Sequence, residues 1–294
     1  MPRPLIRAAP ALFILIWASG YVVAKYAAPH AEPLSFLVLR FLGVAMLMGT
    51  LATIARSRWP ATRACLHLAV AGLAIQAGYL GGVWVAIAQG MPAGVASLIV
   101  NLQPVLTAAL APLIAERVSR GQWIGIALGF VGVVAVVWQK LALSGGLLAW
   151  PTTLCVFALV AMTVGTLYQK RFVPVFDLRV GQTLQSTAAL VVTLPLALAF
   201  ESFHIDWNLP FAGALVWSVL VLTGGGVTLM FAMLREGKAT TVASYLYLVP
   251  AVTALMAWAM FGETLSPLAL LGMGVTLAGI WLVVKGAAPR ATPR

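Results

Sequence analysis

The chain has 294 residues, of which 62% are hydrophobic and only 9% charged, and it carries a formal net charge of +11. A soluble domain carries about a quarter charged residues, so this composition, with a mean hydropathy of +1.01, excludes an ordinary water-facing surface and makes lipid the solvent. A helix crosses the hydrocarbon core with roughly 20 apolar residues, which gives this length about ten spans joined by short loops.

Apolar runs bounded by charge, Pro and Gly fall at 10–28, 34–55, 64–88, 92–114 and 120–138. A second set falls at 148–169, 179–200, 211–234, 239–261 and 267–284. Each is long enough to span with some tilt, so the expected fold is an all-α integral membrane protein of ten transmembrane helices. Arg3 and Arg7 ahead of the first run, with Ala18-Ser19-Gly20 inside it, resemble a signal peptide. Retention of that run is nevertheless expected, because the two halves of the chain match only when it is kept. Cys65 and Cys155 fall within spans and read as small apolar residues, not as a disulfide framework or metal site.

Lys and Arg set the direction of the spans. With the N-terminus inside, every Lys and Arg except Lys25, Arg40 and Lys140 lies on the cytoplasmic side. The net charge is then a topology signal that needs no nucleic-acid partner. Both termini are expected to be cytoplasmic and, with no organelle-targeting segment visible, the default membrane is the bacterial inner (plasma) membrane. Lys140 is the one cation expected in an outside loop, and Lys25 and Arg40 lie within spans.

The chain also repeats itself. At one constant offset, Val95-Ala96-Ser97 falls on Val242-Ala243-Ser244, Glu116 on Glu263, Ser119 on Ser266, Gly125 on Gly272 and Gly132 on Gly279. Pro104 and Pro250 correspond after a one-residue slip. Residues 1–140 and 141–294 are therefore expected to be two repeats of five spans each. An odd number of spans makes the second repeat face the opposite way, a recurring plan of secondary transporters that bind substrate near the midplane. Ser119 with Gln122 three residues on reads as a capping box for the fifth span, and Ser266-Pro267 as the cap and first residue of the tenth.

Trp17-Ala18-Ser19-Gly20-Tyr21 with Lys25, then Leu39-Arg40-Phe41, resembles the opening of EamA-type proteins of the drug/metabolite transporter superfamily. The Pro104–Glu116 and Pro250–Glu263 segments, each before a Gly-rich final helix, and Leu167-Tyr168-Gln169-Lys170-Arg171 extend the resemblance over nearly the whole chain. Ala18 stands where many relatives carry Gly. The resemblance implies ten helices, cytoplasmic termini and transport of small metabolites, often export of amino acids or related compounds.

A cation inside a span is costly and is a functional candidate by default. Trp17, Tyr21 and Lys25 share one helix face, and Lys25 either binds substrate there or snorkels to the outer interface. Arg40 lies deeper, and one or both cations are expected to engage a substrate carboxylate. Gln76, Tyr79, Asn101, Gln182 and Tyr247, on neighbouring spans, are the other expected substrate contacts, with interhelical hydrogen bonding the alternative for each. Trp84, Tyr168 and Tyr245 either line an aromatic pocket or anchor helix ends at the interface. Pro104 and Pro250 each remove a backbone hydrogen bond, freeing the carbonyls of Val100 and Leu246, and are expected to be hinges lining the cavity or fixed kinks.

No carboxylate falls mid-membrane, so proton coupling through a buried acid is unsupported and facilitated diffusion or exchange gains weight. Paired acids and Ser–His or Cys–His pairs at matching depth are missing, which argues against an intramembrane enzyme. No cofactor or metal is expected. The reading is a secondary transporter of a small-molecule substrate, embedded in membrane lipid, exporting an amino acid or related compound by alternating access. Export or flipping of a drug-like or lipid-linked substrate, and a non-transporting receptor or assembly role, are the alternatives. Oligomeric state is not legible.

Overall fold

The computed structural model describes residues 3–110, 118–229, 246, 248–263 and 266–287. Among these, nine helices are long and apolar enough to cross a membrane, and Val249–Phe261 is a shorter apolar helix. Together they make the ten-helix fold. The first five spans are α1 (Arg3–Ala27), α2 (Pro33–Ile54), α3 with α4 (Thr62–Gly72 and Tyr79–Ala88), α5 with α6 (Ala93–Val100 and Gln103–Leu110) and α7 (Arg120–Leu143). The second five are α8 (Ala149–Phe172), α9 (Leu178–Phe200), α10 (Leu209–Val216) with the π-helical turn that follows it, α11 (Val249–Phe261) and α12 (Pro267–Ala287). Large apolar side chains such as Met46, Val131, Trp138 and Leu271 stay exposed, as a surface solvated by lipid requires.

The boundaries follow local chemistry. Ser119 accepts from Gln122 N while Gln122 closes back on Ser119 N, which is the expected capping box. Ser266 Oγ accepts from Ala269 N at 3.1 Å, directly ahead of Pro267. Asp177 caps α9 through Arg179 N, and Asn208 caps α10 through Phe211 N. Lys140 departs from expectation: α7 runs on to Leu143, so Lys140 sits in its last helical turn and not in a loop. A cation there faces the negative end of the helix dipole, which favours the extra turn.

The two halves meet most tightly along α7 and α12, the two pseudo-equivalent helices. A Cβ on Gly125 would meet Gly279 O at 2.6 Å, and one on Gly132 would meet Gly272 O at 2.5 Å. Gly125 corresponds to Gly272 and Gly132 to Gly279, so each contact is the other's image. Residues ascend along one helix as they descend along the other, which is the signature of an inverted repeat. Close backbone approach through small residues is the standard means of helix association in lipid.

A second image pair was not legible beforehand. The third span is π-helical from Leu73 to Gly78, and the eighth from Trp217 to Val227. At the constant offset of the repeat the first segment falls inside the second. A π turn inserts a residue into the helical ladder and is often found where a helix serves a site.

At the end of the bundle away from the basic loops, the halves are tied together. Glu201 accepts from Leu34 N, Ser35 N and Ser35 Oγ, capping α2 from across the bundle. Glu32 returns the arrangement, accepting from Ser202 N, Ser202 Oγ and His204 N. Burial pushes the Glu32 carboxyl up, and the hydrogen bonds from Ser202 and His204 outweigh that and hold it below its ordinary range.

Candidate functional site

A cavity of about 370 Å³ lies among the spans, within the range of small-molecule sites. Trp17, Gly20 and Tyr21 of α1 form one wall and Arg40 of α2 another. Ile75 and Gln76 reach it from the π turn of the third span, and Leu222 and Thr223 from that of the eighth. These four are pseudo-equivalent pairs, so both halves present the same irregular turn to the same space. Gly165 of α8 lies where a Cβ would meet Ile75 and Ala74, and Gly72 where one would meet the backbone of Gln185. These glycines let α8 and α9 close on the third span.

The fourth span breaks at Asn101 and Leu102, and Pro104 follows in the first turn of α6. Proline provides no amide hydrogen, so the ladder cannot continue through this point. Pro250 occupies the equivalent first turn of α11. Val100 and Leu246, four residues before each proline, both line the cavity. Asn101 lines it too, with its amide donating to Ser97 O at 2.7 Å.

Arg40 is 8% exposed and is the one charged side chain of the lining among the described residues. Its Nε is buried without a hydrogen-bond partner, and it forms no ion pair among the described residues. Around it the polar lining is neutral. Tyr21 and Tyr79 approach hydroxyl to hydroxyl at 3.4 Å, Gln76 Nε2 donates to Gln182 Oε1 at 3.3 Å, and Gln185 pairs with Gln169. Trp84 closes the wall, stacked on Phe36 with centroids 4.5 Å apart.

Trp17, Tyr21, Arg40, Gln76, Tyr79, Asn101 and Gln182 thus converge on one cavity. Tyr247 lies outside the described residues, as do Glu116, Ser244 and Tyr245. Lys25 is not part of the lining. Its ammonium is paired with Glu263 and lies 5.1 Å from the Phe261 ring centroid, and Glu263 also accepts from Ala93 N at 3.3 Å. The carboxylate that Lys25 engages is internal, and the contact joins the first, fourth and ninth spans. Tyr168 likewise turns away from the cavity, to His67 Nδ1 at 2.7 Å.

Gln103, Thr166, Gln169 and Thr223 line the cavity without having been singled out from the sequence. An amide or hydroxyl is nearly as conspicuous in an apolar run as a charge, and that was their signal. Gln169, Phe176 and Leu178 carry the cavity to the end where the basic loops lie, and Phe176 is seated on Gly181. The loops at the opposite end contribute nothing to the lining among the described residues.

Two inverted five-helix halves around a cavity with irregular helix turns define a transporter-like membrane protein. The sequence profile of the EamA-like transporter family matches residues 9–138 and again 149–285, and the chain belongs to that family. It is 30% identical to a probable amino-acid metabolite efflux pump of Salmonella typhimurium LT2, over 96% of each chain. It is 28% identical to an inner membrane transporter of Escherichia coli K12, YedA, itself described as uncharacterized, over 96% of this chain and 91% of that one. A probable terminal-alkyne amino-acid exporter of Streptantibioticus cattleyicolor is 30% identical over 66% of this chain and 64% of its own. A solved crystal structure with 18% identity shares the fold, with a TM-score of 0.65 over 93% of this chain and 94% of that one. The chain is a multi-pass membrane transporter of a small molecule.

Proposed function

We propose that this transporter exports a carboxylate-bearing metabolite, an amino acid or a related compound, across the inner membrane by alternating access. The observation that carries the reading is Arg40: a buried guanidinium with an unpartnered Nε on the wall of a substrate-sized cavity. An unpaired charge at this depth is costly unless a partner arrives, and a planar carboxylate matches the guanidinium fork. Trp17, Tyr21, Tyr79 and Asn101 complete the binding set, and the names of the relatives point to the same substrate range.

The state described is closed at one end. Lys25–Glu263 and the crossed Glu32 and Glu201 caps hold the end away from the basic loops. We assign Lys25 to this closure and not to the substrate. By the charge rule the basic loops and both termini are cytoplasmic, so the cavity faces inward. Residues 1–140 and 141–294 act as the two moving halves, with Pro104 and Pro250 as hinges.

Counterflow into proteoliposomes, run with a panel of radiolabelled amino acids and their derivatives, tests the reading. Wild type is expected to accumulate at least one carboxylate, and Arg40→Gln, with an unchanged melting temperature, to lose that accumulation. Unchanged counterflow in a folded Arg40→Gln protein would contradict it.

A further inference from the structure

We infer that the preferred substrate is a monoanion whose amine is acylated or missing, not a zwitterionic amino acid. The inference rests on the reading of Arg40 as the carboxylate site and concerns what the rest of the cavity can accept.

A zwitterion brings two charges, and its ammonium needs a carboxylate or several convergent acceptors. Every acidic side chain among the described residues is committed elsewhere. Glu263 is on Lys25, Asp177 on Arg179, and Asp206 on His204. Glu201 caps α2, and Glu32 holds Ser202 and His204. All five sit at helix ends or in loops, and none lines the cavity. The lining among the described residues therefore carries one positive charge and no negative one.

A carboxylate at Arg40 leaves the remaining described lining neutral. An ammonium placed beside it would face the guanidinium across a small space, and the described lining offers it neutral groups alone: amides, hydroxyls, rings and the carbonyls of Val100 and Leu246. The same groups suit an uncharged polar function. Gln76, Gln182, Gln169 and Gln185 present amides that donate and accept, and they match the amide of an N-acylated amine. Trp17 and Trp84 provide flat apolar walls for the body of the molecule.

The test uses three probes of one shape on the purified full-length protein in detergent, read by isothermal titration calorimetry. N-acetylphenylalanine is the monoanion, phenylalanine the zwitterion and phenethylamine the cation. N-acetylphenylalanine is expected to bind at least about tenfold more tightly than phenylalanine, the penalty of one poorly satisfied charge, and phenethylamine not to bind. Arg40→Gln is expected to abolish N-acetylphenylalanine binding, and Arg40→Lys, which keeps the charge, to retain part of it. Phenylalanine binding as tightly as its acetyl derivative, with both lost in Arg40→Gln, overturns this inference and leaves the carboxylate site standing. Binding insensitive to Arg40→Gln, or binding of none of the three, overturns both.

Discussion

Arg40 and Lys25 are both cations in apolar helices, and their neighbours give them opposite roles. Lys25 ends a helix face, is one-third exposed and finds Glu263 across the bundle, so its charge is spent on holding helices together. Arg40 lies two turns into α2 and finds no acid among the described residues, so its charge remains available to a guest. Charge-keeping and charge-removing substitutions should therefore separate. Arg40→Lys is expected to transport with reduced affinity and Arg40→Gln not at all, measured by counterflow at matched expression; equal activities would remove Arg40 from the site. A second residue-scale expectation concerns Asp177. The hydrogen bond from Arg179 leads the effects that hold its carboxyl down at about 2, and Ser57 of the neighbouring loop contributes. A depressed carboxylate stabilises the fold above its unfolded value and loses that contribution as pH falls through its folded one. The difference in melting temperature between wild type and Asp177→Asn should be full above about pH 4 and close as the pH approaches 2. A gap that does not change with pH would show that the contact carries no stability.

Among the elements, helix pairs and helix breaks do different work. The α7–α12 pair is built on glycines whose missing side chains are occupied by the partner's backbone. Gly132→Val is expected to destabilise the protein by about 1–3 kcal/mol, the usual cost of overpacking, and to lower its melting temperature in detergent. Gly274→Ala, on the partner helix α12 but facing open space, is the control and should be neutral or slightly stabilising. The glycine matches were visible in the sequence because a repeat preserves them at a fixed spacing. The ten spans were visible because lipid imposes their length. The π turns were not: Gly78 and the Gly224-Gly225-Gly226 run weaken a helix, but glycine serves close helix packing as readily as it serves a π turn, so composition does not tell the two apart. The same limit applies to Lys25. Its cost in the membrane was legible, but its partner lies far along the chain, and only the fold brings Glu263 to it. Gln103 and Gln169 carry the same amide signal as Gln76 and Gln182, but Gln103 adjoins the helix break and Gln169 a basic helix end, positions that composition alone does not assign to a cavity.

For the molecule as a whole, inversion is the basis of the proposed mechanism. In that proposal two halves of one architecture, oppositely oriented, exchange conformations, and the exchange moves an opening from one end to the other. The irregular turns in the third and eighth spans, the break in the fourth and Leu246 ahead of Pro250 all adjoin the cavity, where backbone that departs from the helix can be accommodated. The end away from the basic loops is held by charged contacts at the tips of helices, which can release without dismantling the apolar core. In the proposed mechanism the Lys25–Glu263 pair biases the equilibrium toward the state closed at that end. Weakening it shifts the population by no more than its differential contribution to the two states.

The most direct measurement is the accessibility of a cysteine at the cavity wall to a membrane-impermeant thiol reagent. With Cys65 and Cys155 replaced by Ala, Gln76→Cys is labelled in vesicles of each orientation. Labelling is expected chiefly from the basic-loop side while Lys25–Glu263 is intact, with a several-fold gain from the opposite side when Glu263→Gln is added. Labelling from the opposite side that Glu263→Gln leaves unchanged would contradict the proposed mechanism.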